Sequence, residues 1–281
     1  MRSRPTRTAV AATLAATALA ACSPLRPAHE AHSDAPSTRT PSATASAGTP
    51  TPTASAGGNA SAPLHGLVVV VDPGHNGGNG RHESEIDRPV DAGGLRKPCN
   101  TTGTQTDSGY PEHAFTWDVA KRLTALLHHD GATVVLTRHD DHGVGPCVDV
   151  RGRMAARYHA DLLVSIHGDG SAETAHGFTV LRPGKVAGYT TGTYRRSDVL
   201  AADVAEAMVS HGFRRSTYLG SHGVEVRRDL GTLNLASVPA VMLEAGNMRN
   251  PTDARTLSST GGRQRIAVAL AGAVAAFEHR E

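Results

Sequence analysis

The sequence predicts an α/β fold: a single domain with a twisted, mostly parallel sheet flanked by helices. The apolar run at residues 67–71 is unbroken rather than alternating, which is typical of a strand buried on both faces of a parallel sheet, and residues 161–166 predict a second buried strand. Strand-like and helix-like patterns alternate to the end of the chain, as expected when helices connect the strands. Polar side chains follow the ends of several predicted strands, where open parallel sheets bind ligands.

Residues 1–22 have the pattern of a lipoprotein-type signal peptide. Three arginines precede an apolar, alanine-rich stretch at residues 9–21, which is too short to cross a bilayer permanently but suits a secretory signal. The stretch ends in Leu-Ala-Ala-Cys, which resembles a bacterial lipobox, so Cys22 is predicted to carry lipid and to become the mature N-terminus. The alternative is an ordinary cleaved signal in which Cys22 has no role. Both interpretations predict an exported protein.

Residues 23–63 are predicted to form a disordered tether ahead of a domain that spans residues 64–281. The segment consists mainly of Ser, Thr, Ala and Pro, so it lacks the apolar surface needed to offset the entropy lost on ordering. Partly extended, it would reach on the order of 100 Å. A lipid-anchored domain on such a tether would explore the cell wall outside the membrane.

The first strand of the domain, at residues 67–71, ends abruptly at Asp72-Pro73-Gly74-His75. The next stretch, residues 76–110, is rich in glycine and polar residues and has no clear period. This composition predicts a long loop over the domain surface.

A helix is predicted over residues 111–129. Apolar residues from Phe115 to Leu127 recur on one stripe, and Gly131 follows as a stop signal. Glu112 lies three residues before Phe115 and therefore on the same inward face. The remaining elements follow from similar patterns: strands at 133–137, 161–166, 178–181, 224–226 and 239–243, and helices at 150–158, 197–211 and 262–278.

Four side chains are candidates for metal chemistry: His75, His167 and Glu244 follow predicted strands, and Glu112 begins a helix. A catalytic zinc ion takes about three protein ligands and keeps one position for water. Each residue also has an ordinary interpretation. A strand-end histidine often hydrogen-bonds a loop, a glutamate at a helix start favours the helix dipole, and a buried glutamate can pair with an arginine.

The phrases around these residues resemble the zinc-dependent N-acetylmuramoyl-L-alanine amidases, the family called amidase type 3, over residues 67–277. The matching phrases are Val71–His75, Glu112 with Asp118-Val119-Ala120, Leu136-Thr137-Arg138 with Arg151 and Ala155, Ser165–Asp169, and Pro239–Asn247 followed by Asn250, Asp253 and Leu257. Their order and spacing together are more specific than any one phrase.

The resemblance implies one zinc ion, Zn2+, held at the carboxyl ends of the strands by His75, Glu112 and His167, with Glu244 as the catalytic acid/base. The implied reaction is hydrolysis of the amide between N-acetylmuramic acid and L-alanine in peptidoglycan. Peptidoglycan or its muropeptides would be the substrate of a monomeric enzyme, whose only link to the membrane is the lipid anchor. The family assigns no role to the other histidines considered: His65, His82, His113, His159, His176 and His222.

The sequence departs from the family pattern in the long 76–110 segment. Glu83 and Glu85 lie closer to His75 and remain rival second ligands. Cys99 and Cys147 are the other two cysteines, and export to an oxidising compartment predicts a disulfide between them, with two free buried thiols as the alternative. No long insertion precedes the catalytic strand, so we expect an open cleft.

Several functional alternatives remain open from the sequence. Four arginines are candidates for contacts with stem-peptide carboxylates or for purely structural roles: Arg138, Arg151, Arg227 and Arg228. A zinc peptidase acting within the stem peptide would use the same metal chemistry. A non-catalytic wall-binding module, or a surface lipoprotein that serves as a scaffold, would not need the complete ligand set with Glu244. Nearly balanced charge, 28 Lys and Arg against 26 Asp and Glu, disfavours a nucleic-acid partner.

Overall fold

The computed structural model describes residues 62–280. Its strands, numbered along the chain, are β1 (Val68–Pro73), β2 (Pro89–Asp91), β3 (Arg96–Pro98), β4 (Thr133–Leu136), β5 (Leu162–Asp169), β6 (Thr179–Pro183), β7 (Val224–Arg227) and β8 (Ala240–Asn247). Its helices are α1 (Glu83–Ile86), α2 (Glu112–His129), α3 (Val148–Arg157), α4 (Tyr194–Ser210), α5 (Gly231–Asn234), α6 (Pro251–Ser258) and α7 (Thr260–Glu278). The predicted signal peptide, Cys22 and most of the predicted tether lie outside the described residues.

Six of the strands form one sheet in the order β4-β1-β5-β8-β6-β7. All neighbouring pairs are parallel except β6 and β8, which are antiparallel. The predicted mostly parallel α/β sheet is therefore confirmed. The strands β5 and β8 run further than the sequence pattern indicated, so that His167 and Glu244 lie within them rather than after them.

Alternate residues of the central strands supply the two faces of the sheet. Val69 and Val71 of β1 belong to the larger core, which helices α2, α4 and α7 cover. Val70 belongs to a second core on the opposite face, against α3 and α5. The unbroken apolar run of β1 thus reflects burial on both faces of the sheet. On β5 and β8, His167 and Glu244 have the parity of the second face.

The 76–110 segment is more ordered than the predicted long loop. It contains the short helix α1 and the antiparallel hairpin of β2 and β3. These elements are three or four residues long, which is too short to give a hydrophobic period. Tertiary contacts hold the segment instead. Cys99 and Cys147 form the predicted disulfide, and Val90 packs beside them in a small apolar cluster.

The first residues of the described part of the chain pack against the domain. Leu64 is buried in the larger core, and its backbone N–H donates to the carbonyl of Asp130 at 2.8 Å. Within residues 62–280, none of the helices combines the length and hydropathy that a membrane crossing requires.

Candidate metal centre

Three side chains meet at the carboxyl end of the central strands. His75 follows β1, His167 lies near the end of β5, and Glu112 begins α2. The Nε2 atom of His75 is 3.2 Å from Oε2 of Glu112, and Nδ1 of His167 is 2.9 Å from Oε1 of the same carboxylate. One ligand atom from each residue lies within 4.8 Å of the others, and no second group of this kind exists among the described residues.

The backbone and the Nδ1 atom of His75 are both constrained. The residue has a φ of 58°, in the left-handed region that non-glycine residues seldom adopt. Its Nδ1 lies 3.0 Å from the carbonyl oxygen of Thr101. An N–H at this position donates to that carbonyl and leaves the Nε2 lone pair directed at Glu112. The 76–110 segment therefore sets the ring orientation of the first candidate ligand.

Two buried arginines hold the backbone that presents His75. Arg151 donates to the carbonyls of Pro73 and His75, both at 2.7 Å. Arg138 donates to the carbonyl of Pro73 at 3.0 Å and to that of Gly74 at 3.3 Å. Both side chains are at most 3% exposed. Their burial and their contacts with backbone carbonyls favour the structural role over contact with substrate carboxylates.

The charge of Arg151 is balanced by Asp72, which is 1% exposed. Arg151 Nη1 donates to Asp72 Oδ1 at 2.7 Å, and the hydroxyls of Thr137 and Ser165 donate to the same carboxylate at 2.5 and 2.6 Å. Burial alone would raise the pKa of Asp72, but Arg151 and the two hydroxyls outweigh it and hold the pKa below its ordinary value. This network was not identified from the sequence.

Glu112 is fixed from both sides. The backbone N–H of Thr104 donates to its Oε2 at 2.9 Å, and that of Gly168 donates to its Oε1 at 3.0 Å. Burial would raise the pKa of Glu112, but the charges and hydrogen bonds of His75 and His167 lower it well below its ordinary value. In turn, burial opposes the charge on His75, yet Glu112 raises the pKa of that ring.

The rival ligands lie elsewhere. Glu83 and Glu85 are on the exposed surface of α1, and neither belongs to the group of potential ligand atoms. The geometry therefore favours Glu112, whose carboxylate is 3% exposed and points between the two histidine rings.

The donor set and the space around it fit a metal ion. Two imidazoles and one carboxylate are a set that catalytic zinc sites use. Glycines allow the close approach of the side chains. A Cβ on Gly74 would lie 2.3 Å from the ring of His167, and one on Gly103 would lie 2.9 Å from Oε2 of Glu112. The residues present can therefore hold a metal ion.

Glu244 lies beside this group. It is the Cα partner of His167 in the parallel pairing of β5 and β8, so the two side chains leave the sheet on the same face. Its Oε2 atom is buried and has no hydrogen-bond partner among residues 62–280. Burial, followed by the negative charges of Glu112 and Asp169, raises the pKa of Glu244 well above its ordinary value.

Tyr218 fixes one of the charges that act on Glu244, a contact that the sequence did not suggest. Its hydroxyl donates to Oδ2 of Asp169 at 2.7 Å. Burial and this hydrogen bond raise the pKa of Tyr218, so the phenol remains a proton donor at neutral pH. The hydrogen bond fixes the position of the Asp169 carboxylate, which is one of the groups that raise the pKa of Glu244.

The four candidate residues line one open cleft with a volume of about 430 Å3. One side of the cleft is formed by β3 and by the segment from Asp229 to Thr232. Of the other two arginines considered, Arg227 pairs with Asp229 at 2.8 Å and Arg228 is exposed. A volume in this range accommodates a small ligand or one segment of a polymer.

A parallel α/β sheet with a His-Glu-His group and a buried glutamate beside it defines a candidate metal-dependent hydrolase. The chain belongs to the N-acetylmuramoyl-L-alanine amidase family, amidase type 3, whose model matches residues 69–276. The family is one of enzymes and is zinc-dependent in general. The family resemblance seen in the sequence is therefore confirmed.

Similar proteins come from mycobacteria. An N-acetylmuramoyl-L-alanine amidase of Mycobacterium tuberculosis is 39% identical over 77% of this chain and 88% of the relative. The crystal structure of the amidase Ami1 from Mycobacterium smegmatis matches with a TM-score of 0.73 at 38% identity, over 78% of this chain and 99% of that one. The apo form of Ami1 from Mycobacterium abscessus matches with a TM-score of 0.72 at 38% identity, covering 76% and 100%.

Proposed function

We propose that this chain hydrolyses the amide bond between N-acetylmuramic acid and the L-alanine of the peptidoglycan stem peptide. His75, Glu112 and His167 hold one zinc ion in this proposal, and Glu244 is the general base. The observation that carries it is the unpartnered, buried carboxylate oxygen of Glu244 in the same cleft as the clustered potential ligands. Membership of the amidase family supports the choice of substrate.

The scissile amide is a poor electrophile with a poor leaving group, so its hydrolysis needs both activation and proton transfer. A zinc ion held by His75, Glu112 and His167 would supply Lewis-acid chemistry, polarising the amide carbonyl and making water a better nucleophile. Glu244 then accepts the proton of the attacking water and returns it to the departing amine. Its raised pKa suits this exchange, because a weakly basic carboxylate would retain the proton less well.

The chain's own hydrogen bonds prepare the site for this reaction. Arg138 and Arg151 fix the backbone on either side of His75, and the N–H groups of Thr104 and Gly168 orient Glu112. Such preorganisation lowers the reorganisation required when substrate binds.

The proposal is tested by mass analysis of products from purified protein and defined muropeptides, with and without a zinc chelator. Release of an intact stem peptide with a free L-alanine amine, abolished by chelation and by Glu244→Gln, is the expected result. Cleavage inside the peptide would identify a peptidase, and zinc binding without any cleavage would favour a wall-binding module.

Zinc content separates the second-ligand assignments. We expect Glu112→Gln to lose zinc, whereas the matched change Glu83→Gln, on the exposed helix α1, retains it. Metal analysis after dialysis measures this directly. Loss of zinc from Glu83→Gln alone would reverse the assignment.

We also propose that the protein acts in the cell-wall space as a monomer attached through lipid on Cys22. The basic and apolar start of the sequence with its Leu-Ala-Ala-Cys ending supports export and lipidation. Membrane fractionation of cells expressing the chain or Cys22→Ser, with mass analysis of the mature N-terminus, tests the anchor. Light scattering of the purified protein tests the oligomeric state.

A further inference from the structure

One cationic side chain in the cleft retains hydrogen-bond donors for a ligand. Apart from the candidate histidine ligands, the cleft is lined by only two cationic residues among those described, Lys97 and Arg151. All five N–H donors of Arg151 are used, by Asp72 and by backbone carbonyls. The ammonium group of Lys97 has three donors, and its hydrogen bond is to Asp229.

Lys97 belongs to a cluster of three charged side chains, together with Asp229 and Arg227. Its Nζ is 2.9 Å from Oδ2 of Asp229, and Arg227 donates to both oxygens of that carboxylate at 2.8 Å. Two cations therefore face one anion. The hydrogen bond from Arg227 is the largest of the effects that lower the pKa of Asp229, so the cluster keeps one excess positive charge at neutral pH.

A disulfide and buried hydrogen bonds hold the side of the cleft that carries this cluster. The hairpin of β2 and β3 is attached to α3 by the disulfide between Cys99 and Cys147. The buried amide of Asn234 donates to the carbonyl of Ala92 at 2.8 Å and to that of Arg228 at 3.0 Å, which ties the hairpin turn to the segment before α5. Lys97 therefore projects from a braced surface rather than from an isolated loop.

The remaining charges of the cleft determine where an anionic ligand can lie. Glu112 and the two histidines belong to the potential ligand group, and Asp169 and Glu244 beside them offer a carboxylate no cationic donor. A substrate whose scissile amide lies beside the potential metal ligands can place an anionic group against the side of the cleft that carries Lys97. This distribution orients a peptide with its first acidic residue towards the hairpin.

We propose that Lys97, with the second cation Arg227 close by, recognises a free carboxylate of the stem peptide in competition with Asp229 and thereby selects acidic over amidated peptides. The identity of the ligand rests on the proposed amidase function, whereas the preference for a carboxylate rests on the cleft charges alone. The Lys97 ammonium contacts the carboxylate with the donors that Asp229 leaves free.

The test uses the full chain and two N-acetylmuramoyl-L-alanyl peptides that differ only in whether the next residue carries a free carboxylate or a carboxamide. We expect Lys97→Met to raise KM for the acid about tenfold, the effect of losing one charge-assisted hydrogen bond, with kcat and the amide substrate little changed. Lys97→Arg retains the preference. Lys185→Met is the matched control, because Lys185 is exposed and does not line the cleft.

Binding of the two corresponding stem peptides without the sugar, measured by calorimetry, separates this inference from the proposed function. Tighter binding of the acid, lost in Lys97→Met, supports the carboxylate site even if neither muropeptide is cleaved. Asp229→Asn should strengthen acid binding, since it removes the competing anion. Equal effects of Lys97→Met on acid and amide would overturn the inference and leave Lys97 a structural contact of the hairpin.

Discussion

Replacing Asp72 by Asn tests whether the buried network behind the candidate metal centre stabilises the fold. The carboxylate is 1% exposed and is the charged partner of Arg151, which is 2% exposed. Asparagine keeps the shape of the side chain but removes its charge. The Arg151 guanidinium would then remain buried among backbone carbonyls without a counter-ion.

The free energy of unfolding should fall by about 3–5 kcal/mol, because removing one partner of a buried ion pair leaves the other charge uncompensated. Stabilities of ordinary domains are about 5–15 kcal/mol, so we expect the variant to fold with a reduced margin. With a urea slope of about 2 kcal/mol per molar, the unfolding midpoint should fall by roughly 2 M.

Urea unfolding followed by circular dichroism, with zinc removed from all samples, measures this change. Asp87→Asn is the matched control, because Asp87 is exposed and its side chain makes no interaction with residues 62–280. We expect the control to stay within about 0.5 kcal/mol of the unaltered chain. A loss below about 1 kcal/mol in Asp72→Asn would refute the reasoning.

The stability difference between the unaltered chain and Asp72→Asn should depend on pH. Because the folded-state pKa of Asp72 is lowered, its contribution to stability is fully present above its unfolded pKa of about 4 and is lost as pH falls through the folded value. The stability difference between the unaltered chain and Asp72→Asn should therefore be constant near neutral pH and shrink below about pH 4. A difference that grows in acid would contradict the assigned sign.

Three further changes probe the centre and its supports. Glu244→Gln should lower kcat by about 10²–10⁴ while zinc content is retained, as measured by steady-state kinetics and metal analysis; unchanged kcat would exclude this general base. Gly74→Ala should abolish zinc binding, because its Cβ would lie 2.3 Å from a candidate ligand ring. Gly272→Ala in helix α7 should instead raise stability by about 0.5–1 kcal/mol, because the added Cβ would meet no described neighbour within 4 Å beyond its own helix backbone. Replacing both Cys99 and Cys147 by Ser should cost about 4 kcal/mol in urea unfolding, from the 48-residue separation, and a change below 1 kcal/mol would show that the hairpin is held without the bond.

The sequence was informative where local pattern and tertiary environment agree. The β-branched run of β1 must be buried on both faces, and the structure places its alternate valines in two cores. The apolar stripe that begins at Phe115 predicted that Glu112 lies on the buried face of α2, because residues three apart in a helix share a face. The candidate ligands therefore followed from periodicity together with the family phrases.

Other features depended on contacts that no local pattern encodes. The hairpin of β2 and β3 has three residues per strand and is held by a disulfide and by the amide of Asn234 from 142 residues away. The sequence pattern around Arg151 does not distinguish it from a substrate-binding arginine, because its ion pair with Asp72 forms only in the folded chain. The pairing of Tyr218 with Asp169 spans 49 residues and arises only in the folded chain.

The register of β5 against β8 determines where the chain can change length without moving Glu244 relative to His167. Parallel pairing places Glu244 directly beside His167, so the spacing between base and ligand is set by the strand separation of roughly 4.8 Å. The chain that joins these strands can lengthen or shorten without altering that spacing. A one-residue insertion within either strand would instead turn its side chain to the opposite face. The segment between the two strands is therefore the place where a change of length could add substrate contacts while the reacting groups keep their alignment.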